Sequence, residues 1–255
     1  VEAINKIDSD AVDRLLRMRS ACGSHSLSGF TRGGESCLDK ETLDTFRESL
    51  AEELTDSPNI KSHDIERYIG DMMDVKEYAD DGKIQNSEDL FDSLRANPSE
   101  DELVGTQLEA DRAVFYGRQS DVTEVVVEPG TSSNNRIDFE VKKGGGHSDF
   151  VEVKNAKHEL TVDKFERELG DVSDKFRKAN ENNEIDFRTG DKRVVTFGGK
   201  RRGISSTVGE SRSEIRESLS ETVRLFYPNG LEIDEIRVVT PDGNVYKYAV
   251  DSFYS

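Results

Sequence analysis

The chain has 255 residues, and its 35 basic and 53 acidic side chains give a formal net charge of −18. Charged residues make up 35% and hydrophobic residues 33% of the chain, a composition close to that of disordered proteins, but the hydrophobic residues recur in periodic blocks that indicate folding. Concentrated salt screens the self-repulsion of such an acidic surface, so we interpret the charge as adaptation to a high-salt environment. No run approaches the roughly 18 apolar residues of a membrane span, and no signal region precedes the first helix, so the sequence predicts a soluble protein, cytoplasmic or secreted.

Two further features of composition carry little functional information. Cys22 and Cys37 are too few for a disulfide framework, and whether they pair is open. The spacing Cys22-x-x-His25 is common by chance and does not by itself indicate zinc. The first residue is Val, which is expected either after removal of methionine or after release from a larger protein.

Residues 1–97 are predicted to form a helical N-terminal region of unknown role. Apolar residues recur at helical spacing in four segments, 11–18, 38–54, 63–78 and 87–94, and nothing in residues 1–96 has the pattern of a strand. Pro98 ends the last of these helices, and Ser99 with Glu102 forms a predicted capping box for the next. We therefore predict a domain boundary here, with the second domain spanning 98–255.

The second domain is predicted to be mixed α/β. In chain order the pattern predicts a helix near 100–116, strands near 122–128, 135–141 and 149–154, a helix near 161–180, a strand at 192–197, a helix at 211–226, and strands at 233–239 and 244–250. Thr161 is a predicted N-cap, Ser211 and Glu214 a second capping box, and Pro241-Asp-Gly a turn. The predicted order is αβββαβ followed by an αββ extension.

Two of the predicted strands form a hairpin around a glycine-rich turn centred on Gly145. Antiparallel register then places Asp138 directly opposite Glu152, with their β-carbons about 5 Å apart. Alternation places Lys154 on the face of Glu152. The opposite, core-facing side is predicted to be lined by Ile137, Phe139, Val141, Val151 and Val153.

Facing carboxylates repel each other unless a positive charge lies between them, and hard oxygen ligands at this spacing suit Mg²⁺ or Mn²⁺. An ion held by Asp138, Glu152 and the carbonyl of Val153 would activate a water and neutralise charge on a phosphate undergoing displacement. Lys154 would orient that water or stabilise the transition state. A simpler interpretation is that these residues form an ordinary solvated strand face.

These residues resemble the restriction-endonuclease-like PD-(D/E)XK superfamily, which includes Holliday-junction resolvases, restriction enzymes and toxin nucleases built on an αβββαβ core. Asp138 corresponds to the family's aspartate on the second strand, and Glu152-Val153-Lys154 to its (D/E)-x-K on the third. Ile137 replaces the family's proline before the aspartate. The segment 105–113 resembles a Gly-xxx-Glu-xxx-Ala pattern on the first helix, which nominates Glu109 as a further metal ligand and catalytic residue. The resemblance covers roughly residues 100–200.

A set of basic residues stands out against the acidic background and is predicted to contact nucleic-acid phosphates. Its members are Lys142, Lys143, His147, Lys157, Lys200, Arg201 and Arg202. Further basic residues lie in the predicted helix 161–180, where acidic residues alternate with them at helical spacing. Around half of all these basic residues are therefore interpreted as ordinary ion-pair partners of neighbouring acids.

The sequence therefore predicts a nuclease that depends on Mg²⁺ or Mn²⁺ and hydrolyses phosphodiester bonds in DNA or RNA. One interpretation is the toxin module of a secreted system with a cognate immunity protein as partner. The alternatives are a DNA repair or defence endonuclease, and a non-catalytic module on the same fold that binds nucleic acid or a protein.

Overall fold

The computed structural model describes residues 70–72, 74–79, 81–90, 100–129, 136–155, 162–198, 211–240 and 244–254, the side chains of 100–104 excepted. Its contacts divide the chain into two compact units, Val1–Ser120 and Asp121–Ser255. Several predicted features lie outside the described residues. They are the helices at 11–18 and 38–54, the caps at Ser99 and Thr161, the turn at 241–243, and Lys157, Lys200, Arg201 and Arg202.

The described part of the first unit is mainly helical, as predicted. Residues 70–72, 74–79 and 88–90 are helical, and α1 spans Glu100–Gly117. The expectation that residues 1–96 contain no strand was wrong, because Ile84–Gln85 forms a short strand, β1. It follows a turn through Gly82 (φ 73°), and Asn86 (φ 58°) comes directly after it. A strand of two residues is too short to produce the alternation by which strands are recognised in a sequence.

Helix α1 belongs to the first unit, although we predicted that the second domain begins before it, at 97/98. Gln107 Nε2 donates to Asp71 Oδ2 over 3.3 Å, and just past the helix Arg118 Nη2 lies 2.5 Å from Asp74 Oδ2. The division by contacts therefore falls after α1. Pro98 lies outside the described residues, so the helix end predicted there stays a prediction.

The second unit is built on a mixed sheet. Its strands are β2 (Val122–Val127), β3 (Phe139–Lys143), β4 (Ser148–Asn155), β5 (Lys192–Gly198), β6 (Glu235–Val239) and β7 (Val245–Ala249), which lie side by side in chain order. Pairs β4–β5 and β5–β6 are parallel, and the other neighbours are antiparallel. Helices α2 (Val162–Glu181) and α3 (Arg212–Phe226) connect the parallel pairs, and a 3₁₀ helix, Val250–Phe253, follows β7. The chain is thus mixed α/β with the predicted element order.

Helices α2 and α3 bury their apolar stripes together with one face of this sheet. The stripe of α2 is Phe165, Leu169, Val172, Phe176 and Ala179, and the sheet contributes Phe150, Val195, Phe197, Ile236 and Val238. Burying each large side chain contributes about 1.5–3 kcal/mol, so this cluster fixes α2 on β4 and β5. Helix α3 begins with the predicted capping box: Ser211 Oγ accepts from Glu214 N over 3.3 Å, and Ser211 N donates to Glu214 Oε2 over 2.9 Å.

The faces of the hairpin strands differ from the prediction in two ways. Ile137 packs in the helix-covered cluster rather than with Phe139 on the other face, because β3 begins only at Phe139 and strict alternation does not reach residue 137. Strand β4 is buried on both faces from Asp149 to Val153. Strand β4 is central in the sheet, between antiparallel β3 and parallel β5, and sheets with parallel strands are commonly covered on both faces.

A chain of ion pairs, buried at its centre and partly exposed at its two ends, crosses the sheet face opposite the helices. Arg237 Nη2 lies 2.6 Å from Asp149 Oδ2, and its Nε lies 2.6 Å from Glu235 Oε1. Lys143 pairs with Asp149 over 2.7 Å at one end, and Lys192 with Glu235 over 3.2 Å at the other. We call these five residues the charge ladder. Each buried carboxylate in it has two cationic partners, which offsets the cost of removing it from water.

The charge ladder predicts loss of stability in acid. Burial alone raises the pKa of Asp149, but its hydrogen bonds and attraction to Lys143 and Arg237 hold that pKa below its ordinary value. Burial also raises the pKa of Glu235, and its contacts with Arg237 and Lys192 outweigh this and lower it. A lowered folded-state pKa contributes stability that is present above the unfolded-state value, about 4, and is lost as the pH falls through the folded value. Melting temperatures between pH 7 and pH 2.5 should show a shallower acid limb for Asp149→Asn than for the exposed control Asp186→Asn. Identical acid limbs would contradict this assignment.

Candidate metal and catalytic site

The β3–β4 hairpin has the register that the sequence predicts. Phe139 pairs with Val151, Glu140 with Phe150 and Val141 with Asp149. Asp138 precedes β3, and its Oδ2 accepts a hydrogen bond from the backbone N–H of Val153 over 2.6 Å. The Asp138 carboxylate thus continues the hydrogen bonding between the two strands by one step beyond their last residue pair. It satisfies a backbone donor that the shorter β3 leaves without a strand partner.

Glu152 lies in the interior of the protein, on the sheet face covered by α2. It is 1% exposed, and its Oε1 accepts from Lys154 Nζ over 2.9 Å and from Lys175 Nζ over 2.6 Å. Its Oε2 is also buried, yet this oxygen has no hydrogen-bond partner among the residues that the structure describes. A carboxylate oxygen left unsatisfied in the interior costs about 1–3 kcal/mol. Glu152 therefore has one oxygen held by two ammonium groups and one oxygen available to a ligand.

Lys154 remains a cation in this environment. Burial alone would lower its pKa, but its attraction and hydrogen bond to Glu152, with further attraction to Asp138 and Glu168, outweigh that effect and raise the pKa of Lys154. An ammonium with a raised pKa does not act as a general base near neutral pH. Its chemistry here is electrostatic: it donates hydrogen bonds and stabilises negative charge.

Lys175 is the residue of this cluster that the sequence did not reveal. Among the basic residues of α2 it is indistinguishable in a linear sequence from those that pair with neighbouring acids, such as Arg177 with Asp174 and Glu181. One signal was present, because Lys175 lies three residues after Val172 and beside Phe176, on the edge of the buried stripe. A lysine at that edge can extend its ammonium group toward the sheet.

The residues present suit a small divalent cation. The N–H and C=O of one residue in an extended strand point to the same edge, so the Val153 carbonyl faces the side on which Asp138 accepts the Val153 N–H. Among the described residues there is no group of three or more His, Cys, Asp or Glu side chains placed to hold a metal. Mg²⁺ commonly keeps several waters and takes only one or two carboxylates, so Asp138 and Glu152 with this carbonyl are an adequate donor set.

Glu109, nominated as a further ligand and catalytic residue, lies on α1 in the first unit and is partly buried. In the folded protein, Glu109 interacts with other residues. Its participation in the site stays a prediction.

The predicted phosphate-binding residues that can be described lie at the hairpin tip. Lys142 pairs with Glu124 over 2.5 Å, Lys143 pairs with the buried Asp149, and His147 is exposed in the turn. A pocket of about 580 Å³ is lined by these three residues and also by the acidic residues Glu140, Glu184, Asp186 and Asp191. Glu152 lies five positions after His147 along the strand direction, roughly 17 Å away at about 3.3 Å per residue. Contact between the tip and phosphate stays a prediction.

Comparison with known proteins gives no relative of this chain: no family model, curated protein or solved structure matches it. Within the described residues, no helix is long and apolar enough to cross a membrane.

Proposed function

We propose that this protein is a metal-dependent nuclease whose site contains Asp138, Glu152, Lys154 and the carbonyl of Val153. The observation that carries the proposal is the buried Oε2 of Glu152, which no described residue contacts through a hydrogen bond. A hard cation is the ligand class that satisfies such an oxygen best. The raised pKa of Lys154, to which Asp138 contributes, places a permanent positive charge beside both carboxylates.

The burial of Glu152 argues against an ordinary solvated strand face. Glu152 is 1% exposed, whereas the side chains of a solvated strand face are in water. Moving a carboxylate out of water costs free energy, so proteins bury carboxylates where they are paired or bind metal. Asp138 adds a second carboxylate by a hydrogen bond that ties it to the strand of Glu152 and Lys154. Asp138 is thus bonded to the residue that lies between Glu152 and Lys154, and it attracts the Lys154 ammonium group.

The proposed reaction is hydrolysis of a phosphodiester bond: a water oxygen bonds to phosphorus, the bond from phosphorus to the leaving oxygen breaks, and a proton goes to that oxygen. A bound Mg²⁺ or Mn²⁺ supplies neutralisation of the phosphate charge and acidification of water. Lys154 donates a hydrogen bond to the attacking water or to a phosphate oxygen. Asp138 is held in place by the Val153 N–H and Glu152 by its two lysines, so both carboxylates are preorganised.

The proposal leaves two finer assignments, and both use the same site. The substrate is DNA or RNA, and the protein is either a toxin with an immunity protein as partner or a repair or defence enzyme. A second candidate function, the non-catalytic binding module, is favoured by one observation. Lys154 and Lys175 already neutralise Glu152 without any ion. An activity measurement separates the two.

We expect cleavage of plasmid DNA or total RNA by the full chain at high salt, with Mg²⁺ or Mn²⁺ and not with EDTA. Asp138→Ala and Lys154→Ala should each lower the rate about a hundredfold or more, the scale typical of removing one electrostatic contributor. Lys178→Ala, which removes an exposed charge on α2, should leave the rate unchanged. Equal, metal-independent cleavage by all four proteins, or none, would reject the nuclease and leave the binding module.

A further inference from the structure

The two lysines on Glu152 come from different elements. Lys154 is its neighbour on β4, whereas Lys175 reaches Oε1 from α2, across 23 residues of sequence, and makes the shorter bond of the two. The side chains of Lys154 and Lys175 are 26% and 22% exposed, while that of Glu152 is 2% exposed. Both ammonium groups therefore remain near solvent, and the carboxylate that they hold does not.

The negative charges of the site have positive partners without an ion. Asp138 and Glu152 contribute two negative charges and Lys154 and Lys175 two positive ones, and Glu168 adds a further negative charge that attracts Lys154. A buried carboxylate needs compensation in the folded protein at all times, including when no cation is bound. A divalent cation at Oε2 would then meet two positive charges already held at Oε1 of the same carboxylate, and like charges at this range repel.

We propose that Lys175 is a positioning residue that acts as the internal counter-ion of Glu152. In the metal-free protein Lys175 holds Oε1 and keeps Glu152 in the interior. When a divalent cation binds at Oε2, the charge of Lys175 opposes that cation and weakens its binding. The second half of this proposal rests on the proposed function, because it requires the site to bind a metal.

Removing the charge of Lys175 should therefore lower the stability of the metal-free protein and strengthen its binding of a divalent cation. In EDTA, Lys175→Met should lower the melting temperature by about 5 °C, because Glu152 loses one of its two partners. The same variant should bind Mn²⁺ about tenfold more tightly, because one repulsive charge is gone. A purely structural lysine predicts lower stability with weaker or unchanged binding of Mn²⁺.

The experiment uses the full chain with Mn²⁺ alone as the probe. Calorimetric melting in EDTA and isothermal titration with Mn²⁺ are compared for the wild type, Lys175→Met, Lys175→Gln, Lys175→Arg and the exposed control Lys178→Met. Lys175→Gln keeps a hydrogen-bond donor and removes the charge, so it still reports if Lys175→Met fails to fold. Lys175→Arg keeps the charge and should retain both the melting temperature and the dissociation constant of the wild type. In a Glu152→Gln background, Lys175→Met should no longer lower the melting temperature.

The expected result is that Lys175→Met lowers the melting temperature and tightens Mn²⁺ binding. Neither effect of Lys175→Met should be seen in the Glu152→Gln background. Weaker or unchanged Mn²⁺ binding by Lys175→Met and Lys175→Gln, or an unchanged melting temperature, would overturn the proposal. If the wild type binds no Mn²⁺, the proposed metal site fails together with the opposition of Lys175 to a cation. In that case the melting temperatures in EDTA still decide whether Lys175 is the counter-ion of Glu152.

Discussion

Glu152→Gln should lower the rate of metal-dependent cleavage by about a thousandfold, roughly 4 kcal/mol of transition-state stabilisation. The substitution keeps the size of the side chain and removes the charge that a divalent cation requires from Oε2, the oxygen without a hydrogen-bond partner among the described residues. It also leaves Lys154 and Lys175 without the carboxylate that both contact. Rates should be measured over a range of Mn²⁺ concentrations, because weaker binding of the ion would be partly overcome at high Mn²⁺.

The matched control is Glu235→Gln on the opposite face of the same sheet. Glu235 is also buried and also accepts from two cationic side chains, Arg237 and Lys192, but it belongs to the charge ladder. Both substitutions remove one buried, doubly paired carboxylate, so both should destabilise the fold, and only Glu152→Gln should abolish cleavage. Similar losses of activity in the two folded variants would mean that buried charge, and not metal chemistry, explains the effect.

The hairpin and its register could be predicted from the sequence because their determinants are local. Gly144–Gly146 provide the turn, with Gly146 at φ 79°, and the alternation on either side fixes which residues face each other. The position of Asp138 relative to Glu152 follows from that register. The prediction for Ile137 was wrong because it extended the alternation beyond the first residue of β3, where the hydrogen bond from Val153 to Asp138 replaces a strand pair.

The partners of the buried charges could not be predicted, because they are set by long-range packing. Lys175 reaches Glu152 only when α2 crosses from β4 to β5, and Arg237 reaches Asp149 across 88 residues of sequence. Alternation in one strand predicts two faces, but it does not predict whether one or both are covered. From alternation we predicted that β4 is covered on one face, whereas Asp149 and Glu152 are buried on opposite faces of it.

Arg237→Met should cause the largest loss of stability of any single substitution in the charge ladder, about 3 kcal/mol. Arg237 is 5% exposed in its side chain and bridges Asp149 and Glu235, which retain only Lys143 and Lys192 when it is removed. Methionine preserves most of the volume, so the loss reports uncompensated charge rather than a cavity. The free energy of unfolding should be measured by urea denaturation at neutral pH, where both carboxylates are ionised.

The surface arginine Arg177 offers the matching control, because it also contacts two acidic side chains, Asp174 and Glu181, but in solvent. Arg177→Met should change the urea midpoint far less than Arg237→Met, because water solvates both carboxylates once the arginine is gone. Raising the salt concentration should shrink the effect of Arg177→Met and leave most of the effect of Arg237→Met, because buried pairs are screened much less than exposed ones. Equal losses in the two variants would mean that the charge ladder contributes no more than a surface pair, and that the stability of the sheet comes from its apolar contacts alone.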